Sequence, residues 1–155
     1  MAAQPTEDQV VEKVRMAIER LNRFDILLFE ADVNERSIAH KLATYLQDEF
    51  QGWDVDCEYN RDHVKQKRLK LPKNSSLDGQ PDNVRATRVF PDIIVHHRGT
   101  EDNLLVIEIK KTSNQKSDVQ KLEAFKRQLG YTYTLFLRFN TGDDGIGVKE
   151  AKLIL

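Results

Sequence analysis

The stretch Phe90-Pro91-Asp92-Ile93-Ile94-Val95, with Glu108 sixteen residues after Asp92 in Val106-Ile107-Glu108-Ile109-Lys110-Lys111, decides how the chain is read. A polar turn, His97-Arg98-Gly99-Thr100-Glu101-Asp102-Asn103, separates the two apolar, β-branched runs. That pattern predicts two adjacent antiparallel strands. Successive side chains on a strand point to opposite faces. Leu105, Ile107 and Ile109 therefore share the core face, and Val106, Glu108 and Lys110 share the other. Glu108 and Lys110 project side by side, with Cα atoms roughly 7 Å apart. The turn can bring Asp92 across from them. A carboxylate set among Val, Ile and Leu is costly to bury unless something pairs with it.

Two carboxylates and one ammonium would then converge on a point. Two carboxylates can hold Mg²⁺ and leave its other positions to water and phosphate. Such a metal lowers the pKa of water and neutralises charge on a phosphoryl group. Lys110 would orient the attacking water or stabilise charge developing in the transition state.

Pro91-Asp92 followed by Glu108-Ile109-Lys110 resembles the PD-(D/E)xK nuclease superfamily, the restriction-endonuclease-like fold. The resemblance spans roughly 34–139 in its order of elements. It implies that Asp92 and Glu108 bind the metal and that Lys110 assists the nucleophilic water. It also implies Mg²⁺, with Mn²⁺ as a substitute, as cofactor. In that family a glutamate on the first core helix often joins the metal site, and Glu35 matches that position. Several such nucleases carry a Gln followed by a Tyr on the helix after the motif; Gln128-Leu129-Gly130-Tyr131 matches this only loosely.

Working outward, Thr6-Glu7-Asp8-Gln9 reads as a capping box, and Val10, Val14, Ile18 and Leu21 follow at helical spacing. A first helix is expected over about 7–22. The run at 24–29 is apolar and of ambiguous type. Asn34 caps a second helix through about 50, with Ile38, Leu42 and Leu46 inward. A half-buried strand is expected at 53–59, and an irregular stretch at 60–87. Within that stretch Pro81-Asp82 is followed by no apolar run and reads as a turn. Strands are expected at 88–96 and 104–110. A third helix should start at Asp118, turn Val119, Leu122, Phe125 and Leu129 inward, and close at Gly130. A strand at 131–139, a turn at 140–147 and an edge strand at 148–155 complete the chain. The expected fold is α/β: a restriction-endonuclease-like αβββαβ core, its mixed central sheet flanked by helices, with an extra N-terminal helix and a C-terminal strand.

Secondary constellations surround the motif. Arg61, Lys65, Lys67, Arg68, Lys70 and Lys73 form a basic run that reads as a phosphate-tracking arm or as a solvated loop. Lys111, Lys116, Lys121, Lys126 and Arg127 add positive charge after the motif. His96 shares a face with Asp92 by alternation and is expected at the sheet surface. Glu58 reads as a solvated charge.

At 155 residues, 39% hydrophobic and 32% charged, the sequence fits a single domain, residues 1–155, with a real core. Cys57 is the only cysteine, which excludes an internal disulfide and a multi-cysteine zinc site. With no apolar run of bilayer length and no signal-peptide pattern, no membrane partner and a cytoplasmic setting are expected. A net charge of −1 leaves any nucleic-acid contact to a local basic surface. The expected activity is Mg²⁺-dependent hydrolysis of phosphodiester bonds in nucleic acid, with DNA favoured. The expected nucleic-acid contacts are Arg61, Lys65, Lys67, Arg68, Lys70 and Lys111. A homodimer or a place in a larger complex is compatible with this. The alternative is a catalytically silent nucleic-acid-binding or interaction module on the same fold.

Overall fold

Helix and strand starts follow from local chemistry. The computed structural model describes residues 3–31, 34–59, 68–72, 84–88, 91–111, 115–140 and 146–154; for 68–72, 84–88 and 115–118 it describes the backbone alone. Helix α1 (Glu7–Phe24) opens on the expected capping box: Gln9 N donates to the Thr6 hydroxyl, and Thr6 N donates to the Gln9 side chain. A short helix, α2 (Ile26–Glu30), resolves the ambiguous apolar run. Asn34 accepts from Ser37 N at 3.0 Å and so starts α3 (Glu35–Glu49). Strands β1 (Asp54–Cys57), β2 (Arg68–Pro72), β3 (Val84–Arg88), β4 (Ile93–His96) and β5 (Asn103–Lys110) follow. Helix α4 (Gln115–Leu129), β6 (Tyr133–Asn140) and β7 (Gly147–Ile154) close the order. Gly130 adopts φ +70° just past α4, a conformation that costs glycine little.

Five strands form one mixed sheet in the order β1-β4-β5-β6-β7. The β1–β4, β4–β5 and β6–β7 pairs are antiparallel, and β5–β6 is parallel. A parallel neighbour requires a crossover, and α4 provides it. Asn103 Nδ2 donates to Leu129 O at 2.9 Å, and Thr132 N donates to Asn103 O at 3.0 Å, which ties the end of α4 to the start of β5.

The sheet is covered on both faces. Helices α1 and α3 supply Val10, Val14, Leu21, Ile38, Leu42 and Leu46 to a core that includes Ile93, Val95, Leu105, Ile107 and Ile109. On the opposite face α4 supplies Leu122, Ala124 and Phe125 against Ile94, Val106 and Phe136. The phase expected for β5 holds: Leu105, Ile107 and Ile109 lie in one core. Val106, read only as lying on the opposite face, belongs to a second core beneath α4. A strand buried on both faces reads as a nearly continuous apolar run, which Leu104-Leu105-Val106-Ile107 is.

Two expectations are corrected. The stretch at 60–87, read as irregular, contains β2 and most of β3, which pair antiparallel in a separate two-stranded sheet. The backbone of β2 runs beside α4. Helix α4 begins at Gln115 rather than at Asp118. Pro81-Asp82 and the turn at 141–145 lie outside the described residues.

Ile107 is fully buried in the larger core, whereas Val11 is 43% exposed on α1. Ile107→Ala should cost about 2–5 kcal/mol in urea denaturation, as large-to-small core changes do. Val11→Ala should stay within about 0.5 kcal/mol of wild type. Equal effects at the two positions would contradict the assignment of the core.

Candidate active site

The register of β4 against β5 builds the centre of the site. Ile93 pairs with Ile107 and Ile94 with Val106, so one further step sets Asp92 opposite Glu108. Directly opposed side chains bring their Cβ atoms to about 5 Å, and like charges there are destabilising. Asp92 is half-buried, and its Oδ2 accepts from Ile109 N at 2.7 Å. Glu108 is 2% exposed and sits on the face covered by α4, beside Phe136 in the register of β6. The two carboxyl groups approach closely enough for a protonated Glu108 to donate to Asp92.

Burial pushes the Glu108 carboxyl up to about 8, and the charge of Asp92 adds to the shift. Lys121 pulls the other way. Asp92 is also raised, by burial first; the Ile109 amide and Lys121 oppose the shift, and the charge of Glu35 adds to it.

A cation not singled out by the sequence stands beside this pair. Lys121 Nζ, from α4, stands 3.1 Å from Glu108 Oε1. It pairs with that oxygen by charge, and among the described residues no other donor is directed at Oε1. Lys110, expected at the convergence point, is half-buried at the last position of β5, two residues beyond Glu108. Lys121 had been read only as part of the general positive charge after the motif. Its contact is made across the layer between helix and sheet, which strand alternation cannot reveal.

Glu35 opens α3 and reaches the end of β5, where Lys111 N donates to its Oε1 at 3.2 Å. Among the described residues no group of three or more His, Cys, Asp or Glu side chains is gathered so as to hold a metal. Glu35 is thus within electrostatic reach of Asp92 without completing a three-carboxylate cluster with Asp92 and Glu108. The pair alone fits a hard cation. Mg²⁺ is commonly held by one or two carboxylates with its other positions left to water and phosphate. Glu108 Oε1 is the kind of buried oxygen such a cation satisfies.

Two clefts open at the start of α3, and Asp92 lines the smaller of them. One of about 480 Å³ is lined by Asn34, Glu35, Arg36 and Lys111. The other, of about 200 Å³, is lined by Arg36, Ala39, His40, Cys57, Glu58 and Asp92. Arg36 borders both and lies 3.0 Å from Glu58. Sequence reading missed Arg36; its place beside Glu35 in the first turn of α3 was the available signal. Burial and the charges of Asp56, Glu58 and Asp92 push the Cys57 thiol up to about 11.

Other sequence candidates fall as follows. His96, expected at the sheet surface, is 2% exposed, and its Nε2 donates to Asp56 Oδ2 at 2.7 Å. A bulge lies at Val95/His96, and Tyr59 packs edge-on against the imidazole with ring centroids 4.8 Å apart. Glu58 is exposed as expected, but it adopts φ +50° and accepts from Arg36. Gln128 is exposed on α4, whereas Tyr131 is buried against Phe125 in the second core. Arg61, Lys65, Lys67 and Lys73 lie outside the described residues, and Arg68 and Lys70 belong to β2.

The raised Glu108 carboxyl has a stability consequence. The folded protein holds that proton more tightly than the unfolded chain, so no penalty exists well below the usual carboxylate value of 4.5. The penalty grows as pH rises from there to about 8. Glu108→Gln should therefore raise Tm in chelator-treated protein more at about pH 8.5 than at about pH 5. Each kcal/mol gained moves Tm by roughly 2–4 °C in a chain of this size. A Tm difference that is the same at both pH values would show that Glu108 ionises normally.

No family model matches this sequence, and no curated protein is significantly similar to it.

Proposed function

We propose that this protein is a metal-dependent nuclease of the restriction-endonuclease-like kind, with Asp92 and Glu108 as its metal-binding pair. The observation that carries this reading is the opposition of the two carboxylates across β4 and β5, one of them buried in an apolar layer. Burying two like charges side by side is strongly unfavourable unless a cation compensates them. Glu108 interrupts an otherwise apolar face, where Val106, Ile94 and Phe136 pack under α4.

The topology supports the same reading. The order α3, β1, β4, β5, α4, β6 is the helix, strand, strand, strand, helix, strand order that the motif implied, with β2 and β3 inserted after β1. In this reading the site residues come from the start of β4, the end of β5 and the start of α3.

Asp92 and Glu108 would hold Mg²⁺ or Mn²⁺. When bound, that cation neutralises phosphoryl charge and acidifies water. The chain's own residues do the rest. Ile109 N fixes the orientation of the Asp92 carboxylate. Glu35 braces the end of β5 through Lys111 N and adds negative charge near Asp92. Lys110 would stabilise charge on the reacting phosphate. Arg36 and Lys111, on the walls of the larger cleft, would take neighbouring phosphate oxygens. The basic run carrying Arg61, Lys65, Lys67, Arg68 and Lys70 would track the nucleic-acid backbone, DNA being the substrate the resemblance favours.

The test is cleavage of labelled single-stranded, duplex and branched DNA, and of RNA, with Mg²⁺ or Mn²⁺. Wild type should cut at least one, and Asp92→Ala should cut none. Lys110→Ala should lose about a hundredfold to a thousandfold in rate, typical of removing one donor from developing charge. Changing Lys65, Lys67 and Arg68 together should weaken binding and flatten its salt dependence while leaving the saturated rate nearly unchanged. Wild type that binds DNA but cuts none of the substrates would favour the silent binding module.

A further inference from the structure

Lys121 is a side chain that the nuclease reading does not use, yet its ammonium stands within ion-pairing distance of the proposed metal pair. Its Nζ lies 3.1 Å from Glu108 Oε1. The Glu108 side chain is only 3% exposed, whereas that of Lys121 is 28% exposed. The ammonium thus enters from the partly open side of α4 and meets an oxygen in the apolar layer. Its Nζ lies over the Phe125 ring, 5.9 Å from the centroid, and Phe125 is itself fully buried. That packing limits where the ammonium can go. Lys121 also acts electrostatically on Asp92, so it serves the pair rather than Glu108 alone.

An ammonium and a dication cannot both use Glu108 Oε1 without cost. Mg²⁺ binds a carboxylate oxygen at about 2.1 Å, which would leave it within about 5 Å of the Lys121 ammonium. Like charges that close, in a layer of low polarity, repel strongly.

We infer that Lys121 competes with the divalent cation for Glu108 and so sets the metal affinity of the site. The inference rests on the reading of Asp92 and Glu108 as a metal-binding pair and adds its regulation. Lys121 is a positioning residue in this account: it acts through Glu108 and touches no substrate. It holds the two carboxylates together at low metal concentration and yields to the dication as the concentration rises. Asp92→Ala should have the opposite effect to its removal, since Asp92 supplies a ligand where Lys121 supplies a competitor.

The experiment is calorimetric titration of the full chain with Mg²⁺ at about pH 8.5, where bound protons compete least with the cation. Wild type, Lys121→Met, Lys121→Arg and Asp92→Ala are compared, each checked for folding by its thermal melt. Lys121→Met keeps a long side chain and removes the charge. It should bind Mg²⁺ about tenfold more tightly than wild type, equivalent to ~1.4 kcal/mol of lost competition. Lys121→Arg should stay close to wild type, and Asp92→Ala should bind weakly or not at all. Lys121→Met that binds no tighter than wild type, while Asp92→Ala loses binding, overturns the competition and leaves the metal pair standing. If Asp92→Ala binds as wild type does, or if neither wild type nor Lys121→Met binds, the metal pair itself falls and the inference with it. Should Lys121→Met fail to fold, Lys121→Gln carries the same expectation, because it too removes the charge.

Discussion

The burial of the Glu108 carboxyl opposite Asp92 is the constraint around which the rest of the structure is arranged. Glu108 shares its face of β5 with Val106 and lies under α4 with Ile94, Phe125 and Phe136 in the same apolar layer. An ionised carboxylate there has lost most of its water and has gained a second carboxylate as neighbour. Three features of the protein bear on that cost. A proton held up to about 8 removes the charge. The Lys121 ammonium offsets it. The backbone amide of Ile109 takes up one oxygen of Asp92. Each is partial, and among the described residues Glu108 Oε1 has no donor beyond the Lys121 ammonium. A divalent cation would complete what these three begin, which links the local energetics to the proposed chemistry.

The fold sets this arrangement through two layers of packing. Helix α3, started by Asn34, brings Glu35 and Arg36 to the end of β5. Helix α4, as the crossover between parallel β5 and β6, brings Lys121 over Glu108. The sheet register then fixes which acid faces which. A slip of one residue in β5 would send Glu108 into the core made by α1 and α3 and would bring Ile107 or Ile109 to the site. Because both faces of β5 are apolar, such a slip would also bury Lys110 and disrupt both cores. Fold stability and site geometry therefore share one register.

Much of this was legible in the sequence where the signal was local. The Thr6–Gln9 capping box, the Asn34 cap, the alternation of Leu105, Ile107 and Ile109, and the Gly130 stop each depend on a few adjacent residues. The pairing of Asp92 with Glu108 was legible because a short polar turn joins their strands. The rest depended on tertiary context. Strand β2, Arg68-Leu69-Lys70-Leu71-Pro72, has few β-branched residues and ends on proline, so propensity speaks against it. The second core was signalled by unbroken apolar residues from Leu104 to Ile107, but period-two reasoning favoured a single buried face. The approach of Lys121 to Glu108 comes from the docking of α4, and no spacing rule along the chain contains it.

The central claim is that Asp92 and Glu108 hold one divalent cation between them. Anomalous diffraction from crystals soaked in Mn²⁺ at millimolar concentration tests it most directly. The account predicts an anomalous peak within about 2.0–2.3 Å of a carboxylate oxygen from each residue, with the remaining positions facing the cleft. The Lys121 ammonium should have moved away from Glu108 Oε1 in the same map. A fully soaked crystal with no peak at this pair, or with Mn²⁺ bound elsewhere and the Lys121–Glu108 contact intact, would contradict it.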